Sequence, residues 1–176
     1  MALTTAQRKF IFIDNGIGAV LFNTLLNAGI GWLLFSSMAL VPLWGEHSIG
    51  GDLLASGLLL PLLVALIAGA LIKKQLQHGK VEAIAVPGVL AGSWLRWTTG
   101  RFGLVLGLFC VCFAALPMVA LLQLSGAEAV TGTQMIAFKA VWSGVLSVLV
   151  SPLVAFWSLL RFNGLTSADP SQAAAV

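Results

Sequence analysis

Four apolar runs of membrane-spanning length, at about residues 10–40, 52–72, 102–124 and 134–160, constrain this chain more than any other feature. A bilayer's hydrocarbon core takes about 20 residues of helix, so each run is long enough to cross. Composition agrees. Hydrophobic residues make up 59% of the chain and charged residues 9%, against roughly 45–50% and about 25% in soluble domains. A soluble fold of this length must show water more polar surface than that. The sequence therefore predicts an all-α polytopic membrane protein, with four transmembrane helices arranged as two hairpins in a single domain spanning residues 10–161.

Charge placement orients the hairpins. Of the nine Lys and Arg, eight (Arg8, Lys9, Lys73, Lys74, Lys80, Arg96, Arg101 and Arg161) fall at the same ends of the spans, and Lys139 lies inside the fourth. The connecting stretches 41–51 and 125–133 carry none. Positive charge marks the cytoplasmic side, so both termini and the central loop 73–101 are expected there. The formal charge of +3 thus follows membrane topology rather than a phosphate-binding face, and nucleic acid is not an expected partner. Arg8 and Lys9 could begin a secretory leader. However, the run from Ile17 to Val41 exceeds the roughly 7–15 apolar residues of a leader core, so it reads as an uncleaved first span.

Local signals fill in the rest. Residues 1–9 read as a short cytoplasmic arm and residues 162–176 as a disordered tail. Pro42, Gly45, Gly50 and Gly51 break the chain after the first span, with Trp44 suited to the interface. Asp52 follows as an N-cap or first-turn acid of the second span. Between Ala83 and Trp97 the chain is apolar but interrupted by Pro87, Gly88 and Gly92. This segment is expected to lie in the interface, anchored by Trp94, Arg96 and Trp97. Pro61, Pro117 and Pro152 fall within spans. They suit either plain bends or the broken helices that line transporter sites. The hairpins share a direction and a pattern, as a tandem repeat would, although topology alone can produce that likeness.

Two sets of polar residues lie inside the spans. Asn23 and Asn27 are four apart and share a helix face, with Gly16, Ala19 and Gly31 nearby. Amides at mid-membrane depth are costly unless paired, so this face must meet protein rather than lipid. The second set, Lys139, Ser143, Ser147 and Ser151, repeats every four residues along the fourth span. An intramembrane Lys pairs, snorkels or faces water. Asp52 and Glu128 are its candidate partners, and Asp52 is the better placed because it opens a helix. These residues read either as a polar path lined by spans one and four, comprising Asn23, Asn27, Asp52, Lys139, Ser143 and Ser147, or as helix-packing contacts.

Enzyme chemistry has no foothold in the sequence. His47 and His78 are expected on opposite sides of the membrane. Cys110 and Cys112 are two apart on one helix, so they point to different sides and read as packing residues. No metal-ligand spacing, paired intramembrane carboxylates or phosphate loop is present, and no cofactor is expected.

One combination carries a resemblance. Asn23-x-x-x-Asn27 precedes Trp32, and Gly51-Asp52 opens a span containing Pro61 and ending in Lys73-Lys74. Phe138-Lys139-Ala140 then leads to Pro152. Together these resemble an uncharacterised family of small bacterial four-span inner-membrane proteins. The resemblance covers most of the chain and implies that topology and membrane, with no activity attached. The functional expectation is a small transporter or permease acting as a homo-oligomer. The alternative is a non-catalytic membrane subunit or assembly partner whose polar residues serve packing.

Overall fold

The structure, a computed structural model, describes residues 3–84 and 92–163. Four helices long and apolar enough to cross a membrane make up almost all of it: α1 (Thr5–Phe35), α2 (Ile49–Gln77), α3 (Thr99–Leu124) and α4 (Gly132–Arg161). Two short strands, β1 (Val41–Pro42) and β2 (Ala129–Val130), pair antiparallel, Val41 opposite Val130 and Pro42 opposite Ala129. This ribbon ties the two hairpin loops together at the end away from the basic residues. The bundle thus has a ribbon end and a basic end.

Side chains set the helix starts. Thr4 Oγ1 accepts from Gln7 N at 3.2 Å while Gln7 Oε1 accepts from Thr4 N at 3.0 Å, a reciprocal cap that satisfies two otherwise orphan donors. Helix α1 therefore begins within the expected N-terminal arm. It ends at Phe35, before the expected limit near residue 40, because the chain must turn to enter the ribbon. Ser48 Oγ caps α2 by accepting from Gly51 N at 3.2 Å, which places Asp52 in the first turn and frees its carboxylate. Helix α2 continues to Gln77, beyond the expected end near residue 72. Thr98 and Thr131 cap α3 and α4.

Two stretches depart from α-geometry. Phe10–Ile17 in α1 and Val111–Ala115 in α3 are wound as π-helix. In the first, Asn15 Nδ2 donates to Phe10 O at 3.1 Å, a side-chain bond to a backbone carbonyl within the widened turns. In the second, the π-turns lead directly into the α-helical segment that carries Pro117 near its start. Pro61 and Pro152 lie within continuous α-helix.

Packing joins the hairpins to each other rather than closing each on itself. Helix α4 is central: 67% of its most apolar window is buried, against 11% for α1. α1 and α2 both pack along α4, and α3 packs on α2. Glycines permit the close approaches. A Cβ at Gly107 would stand 2.6 Å from Leu58 O, and one at Gly103 would stand 2.8 Å from Ala65 Cβ. Gly103-x-x-x-Gly107 is thus a small-residue seam of the kind that draws membrane helices together. On the other side, Gly132 lies under Phe35 O and Gly144 under Thr24 Oγ1. The shared core contains Leu60, Val64, Leu146 and Val150.

The basic end is folded rather than spread on a surface. Trp157 Nε1 donates to Trp94 O at 3.4 Å, and the Trp157 ring stacks on Phe102 at 4.2 Å. Ile84 is buried against Leu159 and Leu160. The described parts of the segment expected in the interface therefore pack onto α4, while its residues 85–91 lie outside the described residues. Of the tail expected to be disordered, Phe162 packs near Trp157, and residues 164–176 lie outside the described residues.

Candidate functional site

α1 and α2 are consecutive in the chain yet diverge, because each is drawn to α4. The space between them is a groove of about 520 Å³. Its lining on α1 runs from Asp14 to Leu34 and on α2 from Asp52 to Leu71. At 1.5 Å per residue that is roughly 30 Å, the thickness of a hydrocarbon core. From α4 only Lys139 reaches it. The long walls are apolar side chains exposed at the bundle surface, such as Phe22, Leu26, Leu63 and Ile67.

At the ribbon end three polar side chains close a ring. Lys139 Nζ forms an ion pair with Asp52 Oδ1 and donates to Ser56 Oγ at 3.3 Å. Ser56 Oγ in turn donates to Asp52 Oδ2 at 3.5 Å. Lys139 is only 5% exposed. Its stem passes Gly31 of α1, where a Cβ would stand 3.2 Å from Lys139 Cδ. So α1 supplies the gap, α2 the counter-charge and α4 the cation. The Lys neither snorkels nor faces bulk water, and the pair leaves this end of the groove with no net charge.

Deeper in, the two amides differ. Asn27 Nδ2 donates to the backbone carbonyl of Asn23 at 2.9 Å, which anchors it to its own helix. Asn23 is 8% exposed and lines the groove. Among the described residues its side-chain amide has no hydrogen-bond partner. At this depth lipid offers none either.

Ser143 and Ser147 lie elsewhere. Ser143 Oγ shares its proton between Ala140 O at 2.9 Å and Asn23 O at 3.2 Å. Ser147 Oγ donates to Ser143 O at 2.8 Å. Both are fully buried, and Ser143 lies in the α1–α4 seam. The seam between spans one and four, where the sequence placed a polar path, is therefore closed, and the open groove runs between spans one and two. Two contributors went unremarked in the sequence, Ser56 and the packing of Gly31 on Lys139. Ser56 is four residues after Asp52, the spacing that puts both on one helix face.

No known protein family, curated protein or solved structure matches this chain.

Proposed function

We propose that this is a small transporter that moves its substrate along the groove between α1 and α2. The supporting observation is Asn23: a residue only 8% exposed whose amide opens on a groove as long as a bilayer core is thick. At this depth lipid offers the amide no partner, so a substrate or water in the groove would supply the missing bonds. In this reading the membrane is a bacterial inner membrane with both termini cytoplasmic, supported by the eight cations at the basic end. Four helices enclose little interior, so in this reading the path is completed by a homo-oligomer, for which two-fold closure is the commonest arrangement.

A second reading has its own support. Ser143 and Ser147 make the intrahelical and cross-helix bonds expected of a packed bundle, as a non-catalytic membrane subunit would.

Cysteine accessibility separates the two. In a Cys110→Ala, Cys112→Ala background, single cysteines at positions 23, 27, 143 and 147 are treated with a small water-soluble maleimide in intact cells. Transport through the groove predicts labelling at 23 and 27 and protection at 143 and 147. Protection at all four positions means a dry bundle and favours the subunit reading.

A further inference from the structure

Most of the groove's polar lining residues fall in one half, set among apolar walls. Asp52, Ser56, Lys139, Asn27 and Asn23 occupy the half toward the ribbon end. From the level of Lys139, marked on α1 by Gly31, to Asn23 is eight residues, or about 12 Å. Beyond Asn23 toward the basic end the lining is apolar or small, including Phe22, Gly18, Val64, Ile67 and Leu71, until Asp14 and Asn15 at the mouth.

The section of the groove limits what can enter. A volume of about 520 Å³ over a length of roughly 30 Å gives a mean section of about 17 Å². All the empty space between its walls, open solvent included, comes to about 1370 Å³, an upper section of roughly 46 Å². A helix 10–12 Å across needs roughly 80–110 Å². The groove is therefore too narrow to enclose a partner's transmembrane helix. One hydrocarbon chain, on the order of 4 Å across from carbon–carbon contact distances, needs on the order of 16 Å².

An apolar chain alone gains nothing by leaving lipid, since lipid tails are as apolar as Leu. Selectivity must come from the polar half. There the Asn23 amide lacks a partner, and the Asp52–Lys139 pair is neutral overall. A head group with net charge would compete with one member of that pair and strand the other. A head that is neutral overall and forms hydrogen bonds can add to the ring and satisfy Asn23. From these features we infer that the groove binds a single-chain amphiphile with a net-neutral, hydrogen-bonding head. The head lies between Lys139 and Asn23, and the chain runs toward Leu71.

The inference rests on the same groove as the transport reading, but occupancy and passage are read separately. A fluorophore on Leu71→Cys, in the background lacking Cys110 and Cys112, reports on the chain half of the groove in reconstituted vesicles. The probe is a lysophosphatidylethanolamine with a nitroxide on its chain. Quenching is expected to saturate. Asn23→Leu should raise the half-saturating concentration about tenfold, and Leu63→Phe, which narrows the groove without touching its polar residues, should remove the saturable part. Quenching that rises linearly, or saturates equally well in Asn23→Leu, overturns the inference. So does tighter binding of a nitroxide-labelled fatty acid anion, which would contradict the neutral head. Saturable binding with no maleimide labelling at positions 23 and 27 would leave the amphiphile site standing and remove transport.

Discussion

Lys139 of α4 and Asp52 of α2 are 87 residues apart in sequence, yet they form the ion pair that holds the ribbon end of the groove. The pair is sheltered because Gly31 of α1 leaves room for the Lys stem. One contact thus fixes three helices relative to one another, and it does so where α1 and α2 diverge.

Such a pair costs more to break than to delete. Removing one partner strands a charge in a low-dielectric site, typically about 3–5 kcal/mol, whereas replacing both removes the desolvation penalty as well. Lys139→Met and Asp52→Asn should each lower thermal stability in detergent markedly, with Lys139→Met leaving Asp52 its bond from Ser56 Oγ. The double variant should recover most of the loss. A double variant as unstable as the sum of the singles would mean that the two residues act independently.

Glycine substitutions should separate seam from surface. A Cβ at Gly132 would stand 2.2 Å from Phe35 O, a contact only a backbone shift can relieve, whereas Gly29 has nothing within 4 Å. Gly132→Ala should therefore destabilise the bundle by an overpacking cost of about 1–3 kcal/mol. Gly29→Ala should be neutral or slightly stabilising, since Ala outranks Gly in helix interiors by about 1 kcal/mol. Chemical unfolding in mixed micelles reads both. Equal effects would remove the close approach of α1 to α4 from the account.

Much of this was legible in the sequence. Run length and composition predicted four apolar helices, and a lone Lys inside a span pointed to Asp52 as partner. Neighbour choice was not legible. Asn23, Ser143 and Ser147 are all polar and mid-span, and spacing alone assigns them to one path. Their separation depends on which helix each faces. Glycine approaches at Gly132 and Gly144 decide that by drawing α1 onto α4, so that Ser143 is sealed while Asn23 stays at the groove. The ribbon was missed because two residues per strand are too short for an alternating pattern.

The Asn23 carbonyl accepts from both Ser143 Oγ and Asn27 Nδ2. Hydrogen bonds within membrane proteins average about 0.6 kcal/mol, because the alternative state also finds partners. Ser143→Ala and Asn27→Leu should each cost about that much in stability. Their combination should cost more than the sum if the bonds share one acceptor, because in each single variant the remaining bond tightens and offsets part of the loss, which the double variant cannot do. A double-mutant cycle on unfolding free energy checks this. Strict additivity would mean that one of the two bonds does not form.

Gln7 links the start of α1 to the central loop. It is buried, and while its Oε1 completes the helix cap, its Nε2 donates to Ala83 O at 3.1 Å. The loop beside it carries Lys80, which is exposed and lies just past the end of α2. Gln7→Leu keeps the side chain's bulk but removes both bonds, so Ala83 and its neighbours lose their tether while the spans stay intact. A lost bond of about 1 kcal/mol raises the population of locally open loop roughly fivefold. Trypsin cleavage after Lys80, followed in vesicles that present the basic end outward, should accelerate by that factor. Cleavage at an unchanged rate would show that Ile84, packed against Leu159 and Leu160, holds the loop without help from Gln7.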